Sequence, residues 1–196
     1  MNLRPVVLEG AIVRLEPLSL DHLPGLVEVG LDSGLWQWTT QVVHTPAEME
    51  SYVRGALAEQ EAGRALPFAT IDRASGRVAG STRYAAIEPL HRRVEIGWTW
   101  VAPRWQRTPV NTEAKYLMLR HAFEEWGCIR VEFKTDVLNT RSRQALLRIG
   151  AKEEGILRSH MITATERIRD TVYFSVLASE WPAVRAALGA KLPPRG

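Results

Sequence analysis

The sequence predicts one α+β domain whose mostly antiparallel sheet is flanked by helices. Several runs alternate apolar and polar residues at the period of a strand, and helical runs fall between them in no simple βαβ repeat. A single strand–loop–helix crossover stands in the middle of the chain, followed by one further helix–strand pair. The chain of 196 residues is 45% hydrophobic, enough for one substantial core. No repeat, low-complexity tract or linker divides it, so one domain over 1–196 is expected.

The elements follow in order. Ala11 to Leu18 sets Ile12, Val13 and Leu15 against Arg14 and Glu16 and reads as a first strand. Asp21 can cap a helix to about Leu31, with Pro24 in its first turn. A loop from Gly34 to Thr40 carries Trp36 and Trp38. Thr45, Pro46 and Glu48 supply the cap, first-turn proline and capping-box glutamate of a second helix, which Gly63 stops. Leu66 to Ile71 is a strand, residues 74–77 a turn, and Val78 to Ile87 its hairpin partner.

The crossover comes next. Val94, Ile96, Trp98, Trp100 and Val101 are β-branched or aromatic and favour a strand, which Pro103 ends. Asn111 or Thr112 can cap the helix that follows, with Glu113 in its first turn and good helix formers to Trp126. Free N–H groups at such a helix start suit an anion, most often a phosphate. Ile129 to Thr135 alternates as a strand, and Asn139 to Ser142 opens a short helix that Gly150 closes. Strands over about 152–162 and 168–176 and a helix over 179–188 complete the domain. Residues 193–196 read as a frayed tail.

Composition narrows the function classes. The net charge of +3 slightly favours an anionic ligand and gives no argument for nucleic acid. With one cysteine, Cys128, no internal disulfide can form; a buried structural thiol in a reducing cytoplasm is the expectation. No apolar run reaches the roughly 20 residues of a membrane span, and the N-terminus lacks a signal-peptide pattern. The five histidines are scattered, so no metal site is expected.

The run from Glu95 to Trp100, followed by Thr112, Glu113 and Ala114, resembles the RimJ/RimL-type branch of the GNAT superfamily of N-acetyltransferases. Asn139 through Lys152 resembles that family's second signature. The likeness covers nearly the whole chain and implies the GNAT fold, with a splayed mixed sheet, and acetyl-CoA as cosubstrate. The family's pyrophosphate loop runs Gln or Arg, two residues, Gly, one residue, then Gly or Ala. Here Gln106 fits, Pro109 stands at the Gly and Asn111 at the Gly or Ala. Pro109 removes a backbone donor.

The resemblance implies roles for named residues. Backbone groups near Trp100 and Val101 would bond the pantetheine arm. Gln106, Arg107, Thr108, Val110, Asn111 and Thr112 would form the pyrophosphate loop. Asn139 would bond the pantetheine or cap its helix. Glu95 would be the base, or else a surface ion pair with Arg93, Arg83 or Arg92. Ser142 would protonate the leaving thiolate or satisfy a helix N–H; Tyr173 is a rival acid or a packing tyrosine. Trp36 and Trp38 would line the acceptor pocket or plug the core. Trp98 and Trp100 share a face unless a bulge intervenes.

Two function classes follow. One is acetyl transfer to a primary amine by direct attack, the acceptor being an amine-bearing protein, such as a ribosomal protein's α-amine, or a small molecule. A homodimer is compatible with it. The other is a non-catalytic coenzyme-A-binding module, kept open by Pro109 and Asn111. Loss of one loop amide would weaken binding by roughly 1–3 kcal/mol.

Overall fold

The computed structural model describes residues 1–193, so most of the expected C-terminal tail lies outside it. Eight strands form one sheet in the order β1-β2-β3-β4-β5-β6-β8-β7. They are β1 (Leu8–Glu9), β2 (Val13–Pro17), β3 (Leu66–Asp72), β4 (Arg77–Glu88), β5 (Arg93–Val101), β6 (Arg130–Asp136), β7 (Lys152–Ile162) and β8 (Ile168–Leu177). Every neighbouring pair is antiparallel except β5 and β6, which the crossover makes parallel. Five helices flank the sheet: α1 (Leu23–Gly30), α2 (Pro46–Glu61), α3 (Val110–Arg120), α4 (Thr140–Arg148) and α5 (Trp181–Gly189). The expected α+β class holds.

Two apolar cores lie on opposite faces of the sheet. Helices α3 and α5 press Leu117, Met118, Trp181 and Leu188 against Val94, Ile96, Val131 and Phe174. Helices α1 and α2 press Leu26, Met49 and Val53 against Ala69, Ile71 and Trp100.

Several element ends differ from expectation. The first strand starts at Val13, because residues 10–12 form a turn that follows the two-residue β1. Ser19, not Asp21, caps the first helical turn, bonding reciprocally with His22. Helix α3 begins at Val110, with Pro109 as its cap residue, so Asn111 and Thr112 lie inside the first turn. Pro109 suits that place, since the carbonyl still accepts from Glu113 N–H and the missing donor is not part of the helical ladder. The helix then runs on through a π-helical turn, His121–Glu125. Helix α2 obeys its signals: Thr45 Oγ1 accepts from Glu48 N–H, and Glu48 reaches back to Thr45 N–H.

Glu113 does more than sit near the helix dipole. Its carboxylate crosses to the β1–β2 turn and accepts from the N–H groups of Ala11, Ile12 and Val13 at 2.7–2.9 Å. Gly10 makes room for it: a Cβ there would lie 2.3 Å from Glu113 Cδ.

Two departures from regular pairing shape the site. The β5–β6 ladder covers only Arg93 to Glu95 against Arg130 to Glu132. Both strands continue beyond it, β5 to Val101 and β6 to Asp136, so the sheet forks. Along β4–β5 the register slips between Ser81 and Arg83, where Trp98 adopts a positive φ of 47°. This bulge puts Ile96 on the α3 face and Trp100 on the α1–α2 face.

Candidate active site

The fork has a charged floor. Glu95, the last residue of β5 paired with β6, is buried, and its Oε2 lies 2.7 Å from Lys134 Nζ on β6. Lys134 is paired across the β6–β8 ladder with Tyr173, and its ammonium lies 5.2 Å from the centre of the Tyr173 ring. His160 of β7 stands edge-on to the same ring. Burial pushes the Glu95 carboxyl above its ordinary 4.5, against the pull of Lys134. Burial works against the Lys134 ammonium too, but Glu95 and Tyr173 outweigh it and hold its pKa high. The difference follows from exposure, 5% for the Glu95 side chain and 26% for Lys134.

The open end of the fork is built from two helix starts. The loop after β5 leads into α3, and the loop after β6 leads into α4. Gln106 joins them: its Nε2 donates to Val101 O at 2.8 Å, and its Oε1 accepts from Arg141 Nη1 at 2.8 Å. Arg107 takes a positive φ of 61°, and Thr108 Oγ1 donates to Trp105 O. The N–H groups of Arg107, Thr108, Asn111 and Thr112 find no acceptor among the described residues, while Val110 N–H approaches Thr108 Oγ1 at 3.4 Å. Asn111 Oδ1 is buried and also unpartnered. Free donors at a helix start, beside Arg107 and Arg141, fit a pyrophosphate.

One wall of the cleft is the loop between α1 and α2. Arg169 of β8 donates from Nη1 to Trp38 O at 3.2 Å, and Arg167 lies over the Trp38 ring while pairing with buried Asp136. On the other side, Tyr52, Arg83 and Trp98 line a cavity of about 580 Å³.

A sequence profile for the acetyltransferase (GNAT) domain matches residues 13–152. The chain belongs to the GNAT acetyltransferase family. The Bacillus subtilis (strain 168) protein named "Putative ribosomal N-acetyltransferase YdaF" is 32% identical over 106 residues, which span 54% of this chain and 57% of that relative. A GCN5-related N-acetyltransferase from Brucella melitensis has 37% identity and a TM-score of 0.89, covering 97% of this chain and 87% of that one. Mycobacterium smegmatis RimJ, solved with CoA-disulfide, has 25% identity and a TM-score of 0.78 over 95% of this chain and 92% of its own. These likenesses put this GNAT acetyltransferase with the RimJ/RimL-type branch.

Within the acetyltransferase, the fork brings together Glu95 and Tyr173, and Gln106 with the Asn139–Ser142 turn. Asn139 is the α4 cap: its Oδ1 accepts from Ser142 N–H at 3.0 Å, leaving the Ser142 hydroxyl free of that task. Trp36 does not line the cavity. It is buried against Tyr52 and Trp100, and its Nε1 donates to Gly30 O. Residues 33–39 are turns, so Trp36 and Trp38 do not share a face, and only Trp38 reaches the cleft wall. Trp100 is likewise core, and Val110 is buried, so only their backbones can meet a ligand. The Val101 carbonyl is held by Gln106. The three arginines weighed as partners of Glu95 do not pair with it: Arg93 pairs with Glu132 and Glu88, and Arg83 enters the cavity.

Sequence reasoning missed Lys134, Arg83 and Arg141. Lys134 shares its face of β6 with Glu132 in the strict alternation of that strand. That signal marks a polar face without naming its partner across the fork. Cys128 is buried, and burial pushes its thiol up to about 11, as a structural thiol requires. Among the described residues no three side chains are grouped to hold a metal ion, and no helix is long and apolar enough to cross a membrane.

Proposed function

We propose that this chain transfers the acetyl group of acetyl-CoA to a primary amine by direct attack, with no covalent enzyme intermediate. The observation that carries the reading is Glu95, a buried carboxylate paired with Lys134 at the fork, in a fold whose α3 start leaves N–H groups unpaired. Bound there, the coenzyme supplies an activated acetyl thioester. Glu95 takes the proton that the attacking amine releases as its nitrogen bonds the acetyl carbon. The carbon–sulfur bond breaks, and the departing sulfur takes a proton from Ser142 or Tyr173. Lys134, 2.7 Å from Glu95, favours its ionised form against the effect of burial and adds positive field to the fork.

The acceptor we favour is a protein α-amine, as the ribosomal relative's name suggests. An α-amine near pKa 8 is far easier to deprotonate than a lysine near 10.4, which suits a single carboxylate base. We place the protein in the cytoplasm, where Cys128 stays reduced.

The test is acetyl-CoA turnover on a panel of N-terminal peptides, lysine and polyamines. At saturating acetyl-CoA, Glu95→Gln should lower kcat by roughly 100-fold, the scale of general-base catalysis, with coenzyme affinity kept. The wild-type rate should rise with pH along an acid limb centred above 4.5, the ordinary value for the carboxyl. Coenzyme binding without turnover of any amine would instead support a non-catalytic coenzyme-A-binding module.

A further inference from the structure

Arg83 has no work in the chemistry above, yet it is 5% exposed. Its guanidinium lies 5.2 Å from the Tyr52 ring centre and 5.0 Å from that of Trp98. Two aromatic rings therefore lie within cation–π reach of it. Its Nε is buried with no hydrogen-bond partner, and no carboxylate pairs with it among the described residues. Glu59 feels its charge through space but makes no ion pair with it. A buried cation without a directly bonded anion is costly, and two nearby rings offset only part of that cost. The group projects into the 580 Å³ cavity between α2 and β4. The bulge at Trp98 is what aims that ring over Arg83, at the expense of a positive φ in a bulky residue.

The remaining charges of the cavity are occupied. Glu59 is bound by Arg64 at 2.7 Å, and Glu88 lies 3.9 Å from Arg93. Arg83 alone is left with an open N–H edge. The planar fork of the guanidinium suits a planar, two-oxygen anion. The nearby Glu59 and Glu88 disfavour a doubly charged phosphate.

The place of Arg83 says what the anion belongs to. Arg83 pairs with Gly97 on β5, and Ala85 pairs with Glu95, so Arg83 and Glu95 share one face of the sheet. They stand two residues apart along it, on the order of 7 Å. We infer that the acceptor carries a carboxylate close to its amine, an acidic side chain within the first residues of a peptide, and that Arg83 binds it. This inference rests on the amine-acceptor reading of the same cleft.

The experiment compares matched peptides with Glu or Gln at positions two and three. Wild type should acetylate the Glu peptide with at least tenfold higher kcat/KM, most of it in KM. In Arg83→Gln the ratio should fall to near one, and Arg83→Lys should restore part of it. Acetyl-CoA titration of each variant checks that it is folded. Equal kcat/KM for the two peptides in wild type would overturn the inference, as would an unchanged ratio in Arg83→Gln. If no peptide is acetylated, the transfer reading fails, and binding decides the anion site by itself. N-acetyl-aspartate should then raise the Tm of CoA-saturated wild type and leave Arg83→Gln unmoved; a shift in neither, or equally in both, overturns the site.

Discussion

Lys115 is the most strained charge in the molecule. It is buried in α3 and bonds only the hydroxyls of Thr82 and Thr99, one on each side of the β4–β5 bulge. Burial lowers its pKa from 10.5 to about 7. The unfolded chain therefore holds a proton that the folded chain gives up between pH 7 and 10.5. Stability from this group is full above 10.5, falls as pH drops through that window and levels off below 7, at roughly 1.4 kcal/mol per pH unit. Lys115→Met should stabilise the protein more at pH 6 than at pH 10. Urea unfolding at both pH values checks it, and an equal difference would sink the account. At this scale the sequence was half legible. Glu95 could be named as a candidate through the family resemblance of its strand. Lys134, its partner, could not, because the parallel register that joins them depends on the long crossover from Val101 to Arg130. Trp36 and Trp38 looked equivalent as letters, and only the turn geometry between them separates core from cleft.

Among the elements, α3 ties the loop proposed to hold the coenzyme to the start of the sheet. Its Glu113 satisfies three N–H groups of the β1–β2 turn, and Gly10 leaves it space. Gly10→Ala would push the carboxylate off those donors. A loss of roughly 1–3 kcal/mol is expected, with a lower Tm and weaker coenzyme binding. Gly10→Ala with an unchanged Tm would show that the contact is dispensable. Element boundaries were legible wherever a local signal exists, as at Thr45, Pro46 and Glu48. The start of α3 was misjudged because a proline cap carries no side-chain signal and the acidic Glu113 imitates a dipole residue. β1 escaped because two residues carry no period.

For the whole molecule, the order of strands and helices foretold the sheet class. How far β5 and β6 stay paired did not follow from it, since both strands keep their alternation after they separate. Pro109 fits the start of α3, because it sits before the first helical N–H. The molecule should therefore respond as a unit to coenzyme: at a hundred times its dissociation constant, acetyl-CoA should add about 2.7 kcal/mol of stability. A thermal melt with and without acetyl-CoA measures it, and no shift at millimolar ligand would contradict the proposed loop.

The bulge at Trp98 gives β5 two reading frames. Up to Gly97 the even-numbered residues face α3, whereas Trp100, beyond the bulge, faces α1 and α2. Removing one residue there would merge the frames. Trp100 would turn away from Trp36, Met49 and Gly30 and leave a hole in one core while overfilling the other. Arg83 would lose its contact with the Trp98 ring in the same event. What this strand must conserve is therefore a count: many substitutions between Gly97 and Trp100 can be absorbed, but a change of length cannot.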